Sequence, residues 1–144
     1  MILIDGAIGL IMGIVLGGAL ILVLSTFKAP SNIFLNIIFI ALLLPVIEET
    51  FKYLPLESSF IKSNYIIAGL MIGLGFGLIE SFYYGYLYLN QLGSIFFLYR
   101  FKAVSLHILT GGIMGFAVSK RKGWLGLLLA IVLHTLFNFY IDFK

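Results

Sequence analysis

Nearly all of this 144-residue chain is divided among five apolar stretches, each long enough to cross a bilayer, and little is left over to build anything else. They run over roughly 6–27, 32–54, 65–89, 95–119 and 124–142, and a spanning helix needs about 20 mostly apolar residues. The composition agrees. Hydrophobic residues make up 62% and charged residues 10%, against roughly 45–50% and about 25% in soluble domains, and the mean hydropathy is +1.15. The expected fold is all-α: a polytopic transmembrane bundle of about five spans, forming a single integral membrane domain over residues 1–144.

Several classes are excluded. The chain has no cysteine, so disulfides and cysteine-ligated zinc are ruled out. Its net charge of +3 sits mainly in loops and does not point to nucleic acid, which leaves the lipid bilayer as the surrounding partner. Asp5 stands where a cleavable leader would carry basic residues, so the first stretch is expected to be a permanent span.

The breaks fall at 28–32, 55–64, 90–94 and 120–123, with Pro30 and Pro55 expected to stop helices because proline lacks an N–H. Tyr83, Tyr84, Tyr86 and Tyr88 are expected in an interfacial aromatic belt. An odd number of spans puts the termini on opposite sides. Lys52, Lys62, Lys120, Arg121 and Lys122 then share one side, with Lys28, Arg100, Lys102 and Lys144 on the other. The compact Lys120–Lys122 cluster assigns the N-terminus to the cytoplasm of a multi-pass protein of the cell membrane. Gly9, Gly13 and Gly17, and again Gly69, Gly73 and Gly77, recur every fourth residue. Such stripes let helix backbones approach closely in lipid, and the second continues towards Glu80.

Against this background the ionisable residues stand out. Glu48, Glu49 and Lys52 lie in the second stretch, Glu80 in the third, His107 in the fourth, and His134 with Asn138 in the fifth. Such groups cost several kcal/mol each inside a bilayer and usually face a cavity or a partner. Glu48 and Lys52, four apart, share a helix face and can pair, and so can His134 and Asn138. Glu49 and Lys52 taken alone also fit a helix end snorkelling to water. Pro45 should loosen the helix just before Glu48, and Arg100 falls on the face of His107. A single polar site between helices accounts for all of them better than separate interhelical hydrogen bonds.

Three uses of this set are open. A glutamate can take a proton from water while His and Asn donors stabilise a tetrahedral oxyanion. Histidines and glutamates can instead bind zinc, whose bound water is the nucleophile. From another class, buried carboxylates can serve a proton- or cation-coupled transporter or channel subunit as a relay.

The motifs resemble one family. Glu48-Glu49-Thr50-Phe51-Lys52 is similar to the EExxK motif of the PrsW-type intramembrane proteases. Gly75-Phe76-Gly77-Leu78-Ile79-Glu80 resembles their second motif, and His107 and His134-Thr135-Leu136-Phe137-Asn138 resemble the third and fourth. The resemblance covers the chain from about Pro45 to the C-terminus. Lys52 and Glu80 stand where the CAAX prenyl protease branch of the same superfamily has arginine and histidine. The resemblance implies an intramembrane endopeptidase acting on a membrane-anchored protein. It makes Glu48 the water-activating base, assisted by Glu80 or His107, with His134 and Asn138 forming the oxyanion site. Glu49 and Lys52 would organise the first turn, with Arg100 in support. No cofactor is assigned; in a metal-dependent version, zinc would lie among Glu48, Glu80, His107 and His134. Five spans make a short member, and a homodimer could replace a missing peripheral helix. Glu48 and Glu80 can serve one water only if helix tilt or the distortion at Pro45 brings them to one depth.

Overall fold

A computed structural model describes residues 2–26, 32–58, 60–61 and 63–142, and no strand occurs among them. Helix α1 spans Ile2–Ser25, α4 Tyr65–Leu92, α5 Ile95–Ser119 and α6 Gly123–Asp142. These four are long and apolar enough to cross a membrane, with mean hydropathies of 2.7, 1.8, 1.5 and 1.9 along the chain. The second apolar stretch is helical but interrupted. It comprises α2 (Ile33–Ile38), a π-helical turn (Phe39–Leu43) and α3 (Leu44–Glu57).

Proline chemistry accounts for the interruption. Pro45 has no N–H to return, and the ladder before it widens so that the Leu44 N–H reaches the Phe39 carbonyl, five residues back. The loosening expected at Pro45 thus takes the form of a π turn. Pro55 behaves otherwise than expected: it lies inside α3, which continues to Glu57. It sits close enough to the end that the helix closes over it, and Ser58 then donates both its N–H and Oγ to the Pro55 carbonyl, at 3.2 and 2.6 Å. Pro30, Lys28, Lys62 and Lys144 lie outside the described residues.

Glycines set the packing. Gly9, Gly13 and Gly17 of α1 lie against Ala68, Ile72 and Phe76 of α4, and Gly75 of α4 faces back to Leu10 and Ile14. On its other side, α4 applies Gly69, Gly73 and Gly77 to Gly111, His107 and Val104 of α5. Glycine leaves no side chain to hold these backbones apart, which is the main source of close helix contact in lipid. Leu56, Ile61, Ala68, Ile72, Met114 and Ala130 form a buried core beside the seams. The outward surface is apolar, with Leu3, Leu22, Phe82 and Phe101 all more than two-thirds exposed, as lipid contact requires.

The connections are tight. α4 ends at Gly93, whose φ of 56° is a conformation glycine adopts without strain, so the turn expected over 90–94 contracts to two residues. Before α4, the buried Asp5 carboxylate accepts the Ser63 N–H, the Ser63 hydroxyl and the Asn64 N–H at 3.2, 2.5 and 2.9 Å. Asn64 Oδ1 in turn caps α4 by accepting the Ile67 N–H.

A buried polar ring between the helices

The polar residues of four separate stretches converge. Glu48, Glu80, Arg100, His107, His134 and Asn138 line one cavity of about 190 Å³. Glu48 and Glu80 therefore reach one common space despite the offset that straight helices would leave. Glu49 and Lys52 sit behind that cavity, fully buried.

Lys52 is the hub. Its Nζ lies 2.6 Å from Glu49 Oε1, 3.0 Å from His107 Nδ1 and 3.1 Å from Thr110 Oγ1, which uses all three ammonium donors. The pairing expected between Lys52 and Glu48 is absent; the lysine turns to Glu49, where α5 adds two further acceptors. Complete burial also removes the snorkelling reading for Glu49 and Lys52. Phe76 closes one side, with its ring centroid 5.4 Å from the ammonium.

The neighbours of each imidazole define its proton. An ammonium only donates, so His107 accepts at Nδ1 and carries its proton on Nε2, which donates to Glu80 Oε2 at 2.9 Å. The same Glu80 oxygen accepts from Arg100 at 2.6 Å, and the Arg100 Nε donates to Ser81 Oγ at 3.1 Å. His134 is set the opposite way. Its Nδ1 donates to Glu49 Oε1 at 2.6 Å, leaving Nε2 bare and 3.6 Å from Glu48 Oε2. The two rings meet edge to face, 5.1 Å apart. Glu48 Oε2 is buried and has no hydrogen-bond partner, a costly state for a carboxylate oxygen unless something occupies the adjoining space.

Asn138 lines the cavity and braces its wall. Its Nδ2 donates to the Ile40 carbonyl at 3.2 Å. In the π register that carbonyl would await the N–H of residue 45, which is proline, so the asparagine supplies the missing donor.

A metal can be tested against this geometry. One ligand atom from each of Glu48, His107 and His134 lies within 4.8 Å of the others, and two histidines with a glutamate form a known catalytic zinc set. His134 fits well, because a metal-binding histidine commonly donates its other N–H to a carboxylate, here Glu49. Glu48 offers an unpartnered oxygen. His107 fits with one concession: its Nε2 must give up the proton shared with Glu80, which would keep Arg100. The donor set fits a metal.

Three participants were not singled out from sequence as site residues. Thr110, one turn beyond His107, accepts from Lys52, and its spacing could have flagged it. Tyr84 and Tyr99 line the cavity. Tyr83 and Tyr84 were expected in the aromatic belt, yet both are partly buried and line cavities at the site. The neighbouring Tyr86, 88% exposed, faces outward as a belt residue would.

A family model described as PrsW family intramembrane metalloprotease matches residues 2–144. Neither a curated protein nor a solved structure matches the chain. The match favours hydrolysis over the ion-relay reading.

Proposed function

Because the chain belongs to the PrsW family of intramembrane proteases, we propose that it hydrolyses a peptide bond of a membrane-anchored polypeptide, with Glu48 as the base that activates water. The observation that carries this reading is the buried, unpartnered Glu48 Oε2 beside the bare Nε2 of His134, at the wall of a cavity.

A water in the cavity beside these two atoms, which lie 3.6 Å apart, would donate hydrogen towards them. Glu48 takes the proton as the water oxygen attacks the scissile carbonyl carbon. The developing oxyanion needs donors. In this reading Asn138, whose Nδ2 also donates to the Ile40 carbonyl, supplies one, and His134 supplies another only when protonated at Nε2. As the C–N bond breaks, the proton on Glu48 passes to the leaving nitrogen, giving a free amine and a new carboxyl group. Glu49 holds His134 in the required tautomer, and Lys52 and Arg100 balance the charges of Glu49 and Glu80. A divalent metal such as zinc would be held by Glu48, His107 and His134, and would supply Lewis-acid polarisation and an acidified water.

The test uses purified protein in liposomes with single-span substrates. Glu48→Gln and His134→Ala should each lower cleavage by at least about 10²-fold, the scale of a lost general base, with thermal unfolding showing an intact fold. Wild-type turnover in both variants would sink the assignment.

A further inference from the structure

A second cavity adjoins the first. It measures about 180 Å³, and its wall shares Ile40, Leu44, Glu48, Glu80 and Tyr84 with the first. The two diverge beyond that wall. One is lined by α5 and α6, where Leu106, Phe137 and Ile141 stand beside Arg100, His107, His134 and Asn138; the other is lined by Ile21 and Leu24 of α1 with Phe39 and Tyr83. Glu48 and Glu80 therefore stand at a junction between a chamber of mixed polarity and one lined mainly by apolar and aromatic residues.

A peptide bond under attack has chain leaving it in two directions. Inside a helix, its carbonyl is already bonded to the N–H four residues on and is wrapped by side chains. A transmembrane segment must therefore open locally before a water at Glu48 can reach it. Once extended, it rises about 3.3 Å per residue with alternating side chains, so the residues flanking the bond point to separate places. Each chamber is far larger than the ~10–15 Å³ that one water needs, and both carry large apolar side chains in their walls, Leu106 and Phe137 in one and Ile21 and Leu24 in the other.

Tyr84 is fixed at the junction. The Arg100 guanidinium lies 4.9 Å from its ring centroid, and Tyr88 stacks on it at 5.9 Å. Opposite stand Ile40 and Leu44, carried by and next to the π turn.

We infer that the two cavities are the two halves of one cleft for a locally extended, apolar transmembrane segment. The chain crosses between Leu44 and Tyr84, and residues on opposite sides of the scissile bond enter opposite chambers. This rests on Glu48 being the catalytic base. The substrate class follows: single-span segments able to unwind at the cleaved position, with large apolar side chains on both sides of it. Leu24 and Phe137 become specificity-determining residues, one for each side.

Photo-crosslinking provides the test. Full-length Glu48→Gln protein in liposomes would carry a photoreactive residue at Leu24 or at Phe137 and meet a single-span substrate. Labels from the two positions should map to opposite sides of one bond, a few residues apart, and compete away with unlabelled substrate. Labels on the same side, or a competable label from only one position, overturn the inference. In the active protein, Leu24→Trp should lower the preference for Phe over Ala at the facing substrate position by about tenfold, within the range that pocket shape commands. An unchanged preference would also overturn it. Crosslinks in the expected pattern without cleavage by the unsubstituted protein would leave the cleft standing and remove the hydrolytic reading instead.

Discussion

Helix α4 is gripped by glycine seams on two sides, and the two seams do different things. Against α1, Gly9, Gly13 and Gly17 meet Ala68, Ile72 and Phe76, and the contact is apolar along its length. Against α5, glycine meets glycine: Gly69 lies on Gly111, and Gly115 on the backbone of Tyr65 and Ile66. There the contact continues directly into chemistry, because Gly73 rests on the His107 carbonyl and Gly77 on its imidazole. Both seams use the same device of backbone approach without side chains. One produces adhesion and the other sets the position of a functional group. Substitutions at the α1 seam should therefore be read out in stability, and those at the α5 seam in activity as well.

The largest effect is expected at Gly73. A Cβ there would strike the His107 carbonyl oxygen, and backbone cannot turn aside as a side chain can. Gly73→Leu should abolish both the folded, monodisperse protein and its cleavage activity, measured by size exclusion and turnover. Folded protein with normal turnover would show that the α5 seam does not set the site.

Next comes Lys52→Met, which tests whether the polar ring depends on its hub. Removing the ammonium leaves the Glu49 carboxylate buried without its lysine partner, and stranded charges of this kind cost about 3–5 kcal/mol. Unfolding in denaturant should show a loss of that order. His107 would lose its partner at Nδ1 while Glu80 keeps the proton on Nε2, so the ring loses one of its two anchors and turnover per folded molecule should fall as well. A stability loss with unchanged turnover per folded molecule would confine Lys52 to a structural part.

Asn138→Ala should follow, with about 1 kcal/mol lost in stability from the unpaired Ile40 carbonyl. Turnover should fall by ~10²-fold if the same amide also serves the oxyanion. Equal loss in Asn138→Asp, which keeps the shape but not the donor when ionised, would tie the effect to the N–H.

The sequence carried much of this, unevenly. Five apolar stretches implied a helical membrane bundle, and the misplaced Glu, His and Lys residues implied one polar site, because a bilayer penalises both kinds of departure strongly. Spacing correctly put Arg100 with His107, since seven residues is two turns of one helix. It failed for Lys52, where i,i+4 geometry suggested Glu48 but acceptors from α5 favoured Glu49. Periodicity along one helix cannot reveal what a neighbouring helix offers. Tyr84 was hidden for the same reason: four tyrosines in six residues look like a belt until the packing of α4 turns two of them inward. Pro45 announced a distortion, but its form as a π turn, and the carbonyl it releases to Asn138, depended on contacts with α6.

The finest test of the two seams is a pair of alanines. At Gly9, a Cβ would come within 2.6 Å of the Ala68 carbonyl oxygen, so α1 and α4 must part slightly, far from the polar ring. At Gly77, the nearest atoms are His107 Cδ2 and Val104 Cα, both at 3.1 Å, so a shift of a few tenths of an ångström suffices. That smaller shift falls on an imidazole already held at both nitrogens, by Lys52 and Glu80. The expected outcome is a crossover. Gly9→Ala should lower the unfolding temperature more, while turnover per folded molecule stays within about twofold. Gly77→Ala should cost less stability yet lower turnover by about tenfold, equivalent to ~1.4 kcal/mol in the barrier. If the two variants instead rank alike in stability and in turnover, the seams are equivalent, and the position of His107 is set by its hydrogen bonds alone.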